Sequence, residues 1–277
     1  MPEESRTVRQ INFHIMRYNP ESDRAPYVKT YTIPVREGMT VLEGLHYIKD
    51  NLDGTLAWRY SCRMGVCGSC GMMLNGQPTL ACNTQILHIA KTDLTVGPLP
   101  NFETIRDLVP DLFTMFEKHS SLKPYIVRAN EAEINDPQGE FYQSPKQLDA
   151  YLQFTYCIKC GCCMAACPTL ATDARYLGPM PLAAVQRYNR DTRDDGERGR
   201  DQLADRAQGA FRCHYAGECS RACPKGVDPA KAIQLLKRQL VLEYLHLARR
   251  KKPCQKMHGP GQGKPLPDLP AAPAKTA

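Results

Sequence analysis

The chain has 277 residues, a formal net charge of +7, and 42% apolar against 23% charged residues. At roughly 100 to 200 residues per domain, this composition is typical of a globular protein of two domains and excludes wholesale disorder or a fibrous repeat. No stretch approaches about 18 consecutive apolar residues, and no apolar run lies near the start. We therefore expect a protein that is neither secreted nor anchored by a helix of its own.

The first part of the chain is predicted to form strands and one helix. Apolar and polar residues alternate over residues 8–16, and a second run rich in Thr, Tyr and Val covers residues 27–35, so the two predict a hairpin. Thr40 followed by Glu43 is a capping-box pattern that starts an amphipathic helix. Asn75 and Gly76 predict a tight turn between two further strands.

The second part is predicted to be helical. Apolar residues recur at helical intervals over residues 105–116, although Pro110 must kink or break that helix. Ser144-Pro145 and Asp228-Pro229 are each an N-cap residue followed by proline, which start two further helices. The charged segment 189–206 is predicted to be a solvated helix or loop.

Thirteen cysteines make the sequence unusual. A secreted disulfide framework is normally a short chain with a higher cysteine fraction and an even count, so metal binding in a reducing compartment is the better interpretation. The cysteines also cluster in three groups, with Cys254 alone in a basic, proline-rich tail that we expect to be mobile, leaving an exposed free thiol.

The first group is Cys62-x4-Cys67-x2-Cys70 followed by Cys82, which is the plant-type 2Fe-2S spacing. Glycines between these cysteines allow a loop to wrap closely around a cluster. A structural zinc site is the alternative, but zinc sites favour two short cysteine pairs.

The second group, Cys157-x2-Cys160-x2-Cys163-x3-Cys167-Pro168, is the bacterial ferredoxin run, whose fourth cysteine reaches a different cluster. A partner run of identical spacing follows, with Ala216 in place of its second cysteine. The crossed rule assigns a 4Fe-4S cluster to Cys157, Cys160, Cys163 and Cys223, and leaves Cys167, Cys213 and Cys219. Because alanine cannot ligate iron, this last set predicts a 3Fe-4S cluster.

Cys162 lies between two predicted ligands. We interpret it as a spectator thiol that points away from the cluster, with an alternative ligand as the second possibility. Three different clusters and no acid, base or nucleophile constellation predict an electron relay between two redox partners.

Residues 61–71 (SCRMGVCGSCG) and 223–229 (CPKGVDP), with the three groups in this order, closely resemble the iron–sulfur subunit of succinate dehydrogenase and fumarate reductase. The resemblance implies an α+β protein: an N-terminal β-grasp, ferredoxin-like 2Fe-2S domain (1–105), then an all-α helical ferredoxin domain with two cubane-type clusters (106–248), before the tail (249–277). It also implies a flavoprotein partner with covalent FAD, membrane-anchor subunits, a quinone at the anchor interface, and a peripheral location on the cytoplasmic face of the bacterial inner membrane.

Quinone-pocket positions of this family correspond here to Pro168, His214 and Lys237, with Gln234 a weaker candidate. Many ubiquinone-linked relatives have two adjacent tryptophans where this chain has Ala171 and Thr172, and residues 177–194 look more like fumarate reductases. The resemblance therefore slightly favours menaquinone.

Three other functions remain open from the sequence. One is a freestanding multi-cluster electron carrier, and a second is an adaptor for another flavin enzyme. Nucleic-acid binding is the third, but acids are interspersed with the basic residues and no recognised reading module is present, so we expect no nucleic-acid partner.

Overall fold

The computed structural model of the chain describes residues 8–130, Ala132, residues 140–247 and residues 255–257. Its first part is a mixed five-stranded sheet with strand order β2-β1-β5-β3-β4, in which β1 and β5 are parallel and the other pairs antiparallel. The elements are β1 (Arg9–Arg17), β2 (Tyr27–Val35), α1 (Val41–Asn51), β3 (Gly71–Leu74), β4 (Gln77–Leu80), a 3-10 helix (Ala81–Asn83), α2 (Ile86–Ile89) and β5 (Asp93–Gly97).

Local sequence signals account for this part of the fold. Alternate residues of β1 are buried, and Thr40 and Glu43 form the predicted capping box at the start of α1. Asn75 and Gly76, both at positive φ, make the predicted turn between β3 and β4. Helix α1 packs closely on the sheet, since a Cβ added at Gly44 would lie 2.7 Å from Phe13 Cζ. These predictions are confirmed.

The helix predicted over residues 105–116 is wrong in its first half. Strands β6 (Thr104–Arg106) and β7 (Val109–Pro110) form a small hairpin there, and helix α3 (Phe113–Ser121) begins only after it. The hairpin is fixed by Asp107 at its turn. That carboxylate accepts hydrogen bonds from Arg17 Nε and from the amides of Tyr18 and Ala57, each at 2.9 Å. Partners distant in the sequence thus override the helical spacing.

The second part of the structure is built mainly from helices around a separate core. They are α4 (Pro145–Thr155), α5 (Cys162–Ala165), α6 (Pro168–Thr172), α7 (Pro179–Arg190), α8 (Glu197–Ala204), α9 (Glu218–Arg221) and α10 (Pro229–Tyr244), with a 3-10 helix at Ala210–Arg212. Ser144 and Asp228 cap α4 and α10 as predicted, each followed by proline. Leu108 packs in the first core, and Leu112 in the second, so the chain passes from one to the other between them.

The prediction that residues 189–206 are solvated is wrong for much of the segment. Arg200 and Asp194 are fully or almost fully buried, and Arg200 Nη2 lies 2.6 Å from Asp194 Oδ2. Arg200 also donates to the carbonyl oxygens of Lys123 and Tyr125. Charge alternation alone did not reveal that these charges neutralise each other in the interior.

The all-α prediction for the second part needs a correction. Strand β8 (Glu140–Tyr142) pairs antiparallel with β9 (Gln255–Met257). Residues 255–257 therefore form a strand within the tail that the sequence suggested was mobile, and the rest of that tail, including Cys254, lies outside the described residues. Among the helices that the structure describes, none is long and apolar enough to cross a membrane.

Candidate metal centres

The first cysteine group lies on the loop between α1 and β3, and Cys82 joins it from the 3-10 helix after β4. Arg63, Gly65 and Gly68 all have positive φ, which turns the loop back on itself. Backbone amides consequently point at sulfur. Cys62 Sγ accepts from the amides of Val66 and Cys67 at 3.3 and 3.2 Å, and Cys82 Sγ accepts from Gly65 N at 3.2 Å.

The thiols of the first group differ in pKa, because some accept these hydrogen bonds at the surface and others are buried. The Cys62 amide, donating to Cys67 Sγ at 3.5 Å, leads the contacts that lower the pKa of the exposed Cys67 to about 6. Burial instead raises the pKa of Cys70 to about 12. A buried thiol of this kind favours the neutral form unless a cation compensates, and metal coordination deprotonates it. The loop therefore suits a cationic metal centre held by thiolates, with backbone amides donating hydrogen bonds to the thiolate sulfurs.

In the fold the second group is the ligand set Cys157, Cys160, Cys163 and Cys223, which surrounds a small cavity. All four of these cysteines line it, as the crossed rule predicts, although Cys223 is 60 residues or more from the others in the sequence. Apart from Lys159 and Lys225, the rest of the lining is apolar. It consists of Ile158, Met180, Ala183, Pro224, Val227 and Pro229. Cys162 is absent from the lining and is fully buried in the core of the first part.

Burial raises the pKa of Cys163, Cys157 and Cys223 above the ordinary value for a thiol. In contrast, the hydrogen bond with the Cys162 side chain leads the contacts that lower the pKa of Cys160 to about 7. The cavity is bounded by these four thiols and mainly by aliphatic side chains. It fits a multi-iron cluster whose charge offsets that of the thiolates.

The third group in the fold is the ligand set Cys167, Cys213 and Cys219, which packs around Tyr176. Burial raises the pKa of Cys219 to about 11. Tyr176 is fully buried, and among the described residues its hydroxyl has no hydrogen-bond partner. Burial first, and then the neighbouring thiols of Cys213 and Cys167, raise the pKa of Tyr176 above its ordinary range. A sulfur-rich group bound by these three thiols would give the buried Tyr176 hydroxyl a hydrogen-bond acceptor.

The two cysteine runs of identical spacing, residues 157–167 and 213–223, share one local structure. Lys159 and Gly161 have φ values of 55° and 85°, and the matching Tyr215 and Gly217 have 60° and 80°. Each pair leads into a four-residue helix, α5 or α9, which carries a predicted ligand. Ala216 occupies the place of Cys160 in this repeat and is exposed.

The three groups lie in contact with one another. A Cβ added at Gly68 would lie 2.9 Å from both Cα and Cβ of Cys160, and one at Gly71 would lie 2.9 Å from the Cys160 carbonyl oxygen. The loop of the first group is thus pressed against the second. Cys163 in turn shares a buried core with Cys167 and Cys219 of the third group. The order along this row is first, second, third.

The four predicted quinone residues lie around the third group. Pro168 is exposed at the start of α6, directly after Cys167, and His214 is exposed beside Cys213. Lys237, on α10, donates from Nζ to the Cys213 carbonyl oxygen at 2.8 Å. Gln234 lies one turn earlier on α10, and its Nε2 is buried without a hydrogen-bond partner among the residues described.

Two residues that the sequence analysis missed support these groups. Asn101 donates from Nδ2 to the carbonyl oxygens of Met164, Ala165 and Cys167 at 2.9 to 3.1 Å, and so caps the turn that carries Cys163 and Cys167. Tyr176 is the second. Neither belongs to a recognisable motif, because an asparagine or a tyrosine in a loop is common.

Comparison with known proteins agrees with this geometry. A family model described as a 2Fe-2S iron-sulfur cluster binding domain matches residues 12–117, and one described as a 4Fe-4S dicluster domain matches residues 153–227. An N-terminal 2Fe-2S domain followed by a dicluster domain defines an iron–sulfur protein of electron transport.

Individual relatives narrow this class. The chain is 48% identical over 228 residues to the fumarate reductase iron-sulfur subunit of Mycobacterium tuberculosis (strain CDC 1551 / Oshkosh), covering 82% of this chain and 92% of the relative. It is 38% identical over 235 residues to the mitochondrial succinate dehydrogenase [ubiquinone] iron-sulfur subunit of Dictyostelium discoideum, covering 82% and 81%. The chain belongs to the family of fumarate reductase and succinate dehydrogenase iron–sulfur subunits, which are parts of an oxidoreductase complex.

The fold is also that of a solved structure. A chain of the Mycobacterium smegmatis Sdh1 complex in the apo form matches with a TM-score of 0.77 at 24% identity, covering 86% of this chain and 98% of that one. The predicted class, a mixed sheet followed by helices, is confirmed at this level.

Proposed function

We propose that this subunit relays single electrons between the covalent FAD of a flavoprotein partner, where succinate and fumarate interconvert, and a quinone at a membrane-anchor subunit. The clusters in the row would be 2Fe-2S, 4Fe-4S and 3Fe-4S. Their ligands would be Cys62, Cys67, Cys70 and Cys82 for the first, Cys157, Cys160, Cys163 and Cys223 for the second, and Cys167, Cys213 and Cys219 for the third. Iron–sulfur clusters supply one-electron chemistry at potentials that the protein tunes.

The contiguity of the three cysteine groups carries this proposal. The backbone of Gly68 and Gly71 is packed on Cys160, and Cys163 of the second group shares a buried core with Cys219 of the third. Only glycine permits the first of these contacts, because a side chain on either residue would meet Cys160 at 2.9 Å. The chain's own residues thus hold the three sites in a fixed sequence.

The two ends of the row differ in ways that suit different partners. At the first group, Cys67, Met64 and Val66 are exposed, which supports docking of the flavoprotein there. At the third group, Phe211 and Tyr215 are exposed large side chains next to Cys213, which supports contact with an apolar anchor. The proposal places the subunit peripherally on the cytoplasmic face of the bacterial inner membrane, held there by this anchor.

Cluster type is tested by electron paramagnetic resonance of the purified, air-oxidised complex. We expect a 3Fe signal in the wild type, and its replacement by a reducible 4Fe-4S signal in Ala216→Cys, because that substitution restores a thiolate at the missing corner. Ala222→Cys, which adds a thiol elsewhere in the same segment, serves as the control and should keep the 3Fe signal. Two 4Fe-4S clusters in the wild type would contradict the assignment.

The quinone end is tested by activity of the native assembly. Lys237→Met should abolish succinate-dependent menaquinone reduction yet retain reduction of an artificial dye at the flavoprotein, since the lysine donates a hydrogen bond to Cys213 in the third group. Lys231→Met, an exposed position on the same helix, is the matched control. Loss of both activities, or of neither, would contradict this place for the quinone, and elution of the chain without a flavoprotein would favour a freestanding carrier.

A further inference from the structure

We propose that the Tyr176 hydroxyl donates a hydrogen bond to a sulfur of the third cluster and thereby raises its reduction potential. This inference rests on the proposed function, which puts a 3Fe-4S cluster at Cys167, Cys213 and Cys219. It concerns a residue that is not a ligand and that no motif marks.

Burial without a partner is the first argument. Tyr176 has none of its surface exposed, and its hydroxyl is unbonded in the part of the chain that the structure describes. A buried hydroxyl left without a partner costs about 1 to 3 kcal/mol, so native proteins nearly always satisfy such groups. With an ordinary pKa of about 10, a tyrosine is a hydrogen-bond donor at neutral pH. The groups that surround this donor are the thiols of the third cysteine group.

Rigid placement is the second argument. Lys118 Nζ donates to the carbonyl oxygens of Ala174 and Tyr176, the latter at 2.8 Å. Tyr176 N bonds back to the Asp173 carbonyl oxygen at 3.1 Å, and the amide of Leu177 is bonded to the carbonyl oxygen of Gln208 at 2.9 Å. The side chain of Asp173 accepts from Arg212 Nε, next to Cys213. The loop that carries the tyrosine is therefore tied directly to the segment that carries Cys213.

The direction of the effect follows from charge. Reduction adds one negative charge to the cluster, so a donor to sulfur stabilises the reduced form more than the oxidised form. Removing the hydroxyl should lower the ratio of reduced to oxidised cluster about tenfold at a fixed potential, which is about 59 mV for a one-electron couple.

The test is a redox titration of the assembled complex, followed through the 3Fe signal of the oxidised form. Tyr176→Phe removes only the hydroxyl, and we expect its third-cluster midpoint to fall while the 2Fe-2S and 4Fe-4S midpoints stay in place. Tyr151→Phe removes another buried hydroxyl, one bonded to Gln143, and is the matched control that should leave all three midpoints unchanged. An unchanged third-cluster midpoint in Tyr176→Phe overturns the inference.

A second variant covers the case in which Tyr176→Phe loses the cluster. Replacement of Tyr176 by 3-fluorotyrosine keeps the ring and makes the hydroxyl a stronger donor, so the midpoint should rise, and no rise overturns the inference. The spectrum of the wild-type complex distinguishes a wrong cluster assignment from a wrong role for the hydroxyl. A wild-type complex with no 3Fe signal refutes the proposed cluster itself, whereas a wild-type signal that is insensitive to Tyr176 refutes only the role of the hydroxyl.

Discussion

The contact between the first and second cysteine groups leads to a sharp prediction for Gly68→Ala. Gly68 has a φ of +77°, and its added Cβ would lie 2.9 Å from Cα and Cβ of Cys160 and 3.1 Å from the Ile158 carbonyl oxygen. Ordinary contacts of a Cβ lie at 3.4 to 4 Å. Since backbone atoms cannot rotate away, either the loop or the Cys160 segment must move.

Two costs contribute to the expected loss of stability. An L-residue in the left-handed region costs roughly 1 to 2 kcal/mol. Inserting a methyl group into a packed site typically costs about 1 to 3 kcal/mol more. We expect a cost in the upper part of this range, because the added Cβ would meet the backbone of Cys160. Gly76→Ala isolates the first cost, because Gly76 also has a φ of +77° and nothing lies within 4 Å of its added Cβ.

The assay is urea unfolding of both variants under anaerobic conditions, monitored by far-UV circular dichroism and by the visible absorbance of the clusters. We expect Gly68→Ala to unfold at clearly lower urea than Gly76→Ala, by an amount equivalent to about 1 to 3 kcal/mol. The visible absorbance of the first cluster should be lost first. Equal midpoints for the two variants would show that the loops are not pressed together as the distances indicate.

Two further predictions concern the buried charges. Arg200→Met should destabilise the protein by about 3 to 5 kcal/mol in the same urea assay, because it removes the buried guanidinium that pairs with the buried Asp194 carboxylate. Arg221→Met, at an exposed ion pair, should have little effect, and similar losses in the two variants would contradict the buried-pair argument. Burial, with Glu243 nearby, raises the pKa of Asp201 to about 7. Because this folded-state pKa lies above the ordinary carboxyl value of about 4, the stability that protonated Asp201 contributes is fully present below about pH 4 and is lost as the pH rises through about 7. Asp201→Asn should therefore weaken the decline of the urea midpoint between about pH 4 and 7, and a decline identical to that of the wild type would refute the assignment.

Local signals predicted a large part of the fold. The capping residues Thr40, Ser144 and Asp228 start their helices where the sequence indicated, since each side chain accepts a hydrogen bond from the amide three residues further along. The Asn75-Gly76 turn was predictable because both residues readily adopt the positive φ that a tight hairpin turn requires. Residues 105–116 failed because Asp107 is fixed by Arg17 and by amides far along the chain, which no local pattern contains.

For the metal centres, the sequence by itself determined the cysteine groups and their division, because the spacing needed to wrap a chain around iron and sulfur is a local property. Only the tertiary structure decided how these groups meet. The packing of Gly68 on Cys160, the cavity that Cys223 completes, and the burial of Tyr176 among three thiols all join residues from separate parts of the chain. Such contacts depend on how the two cores fold against each other, and the physical reason is that burial and close approach are properties of the packed chain rather than of any short segment.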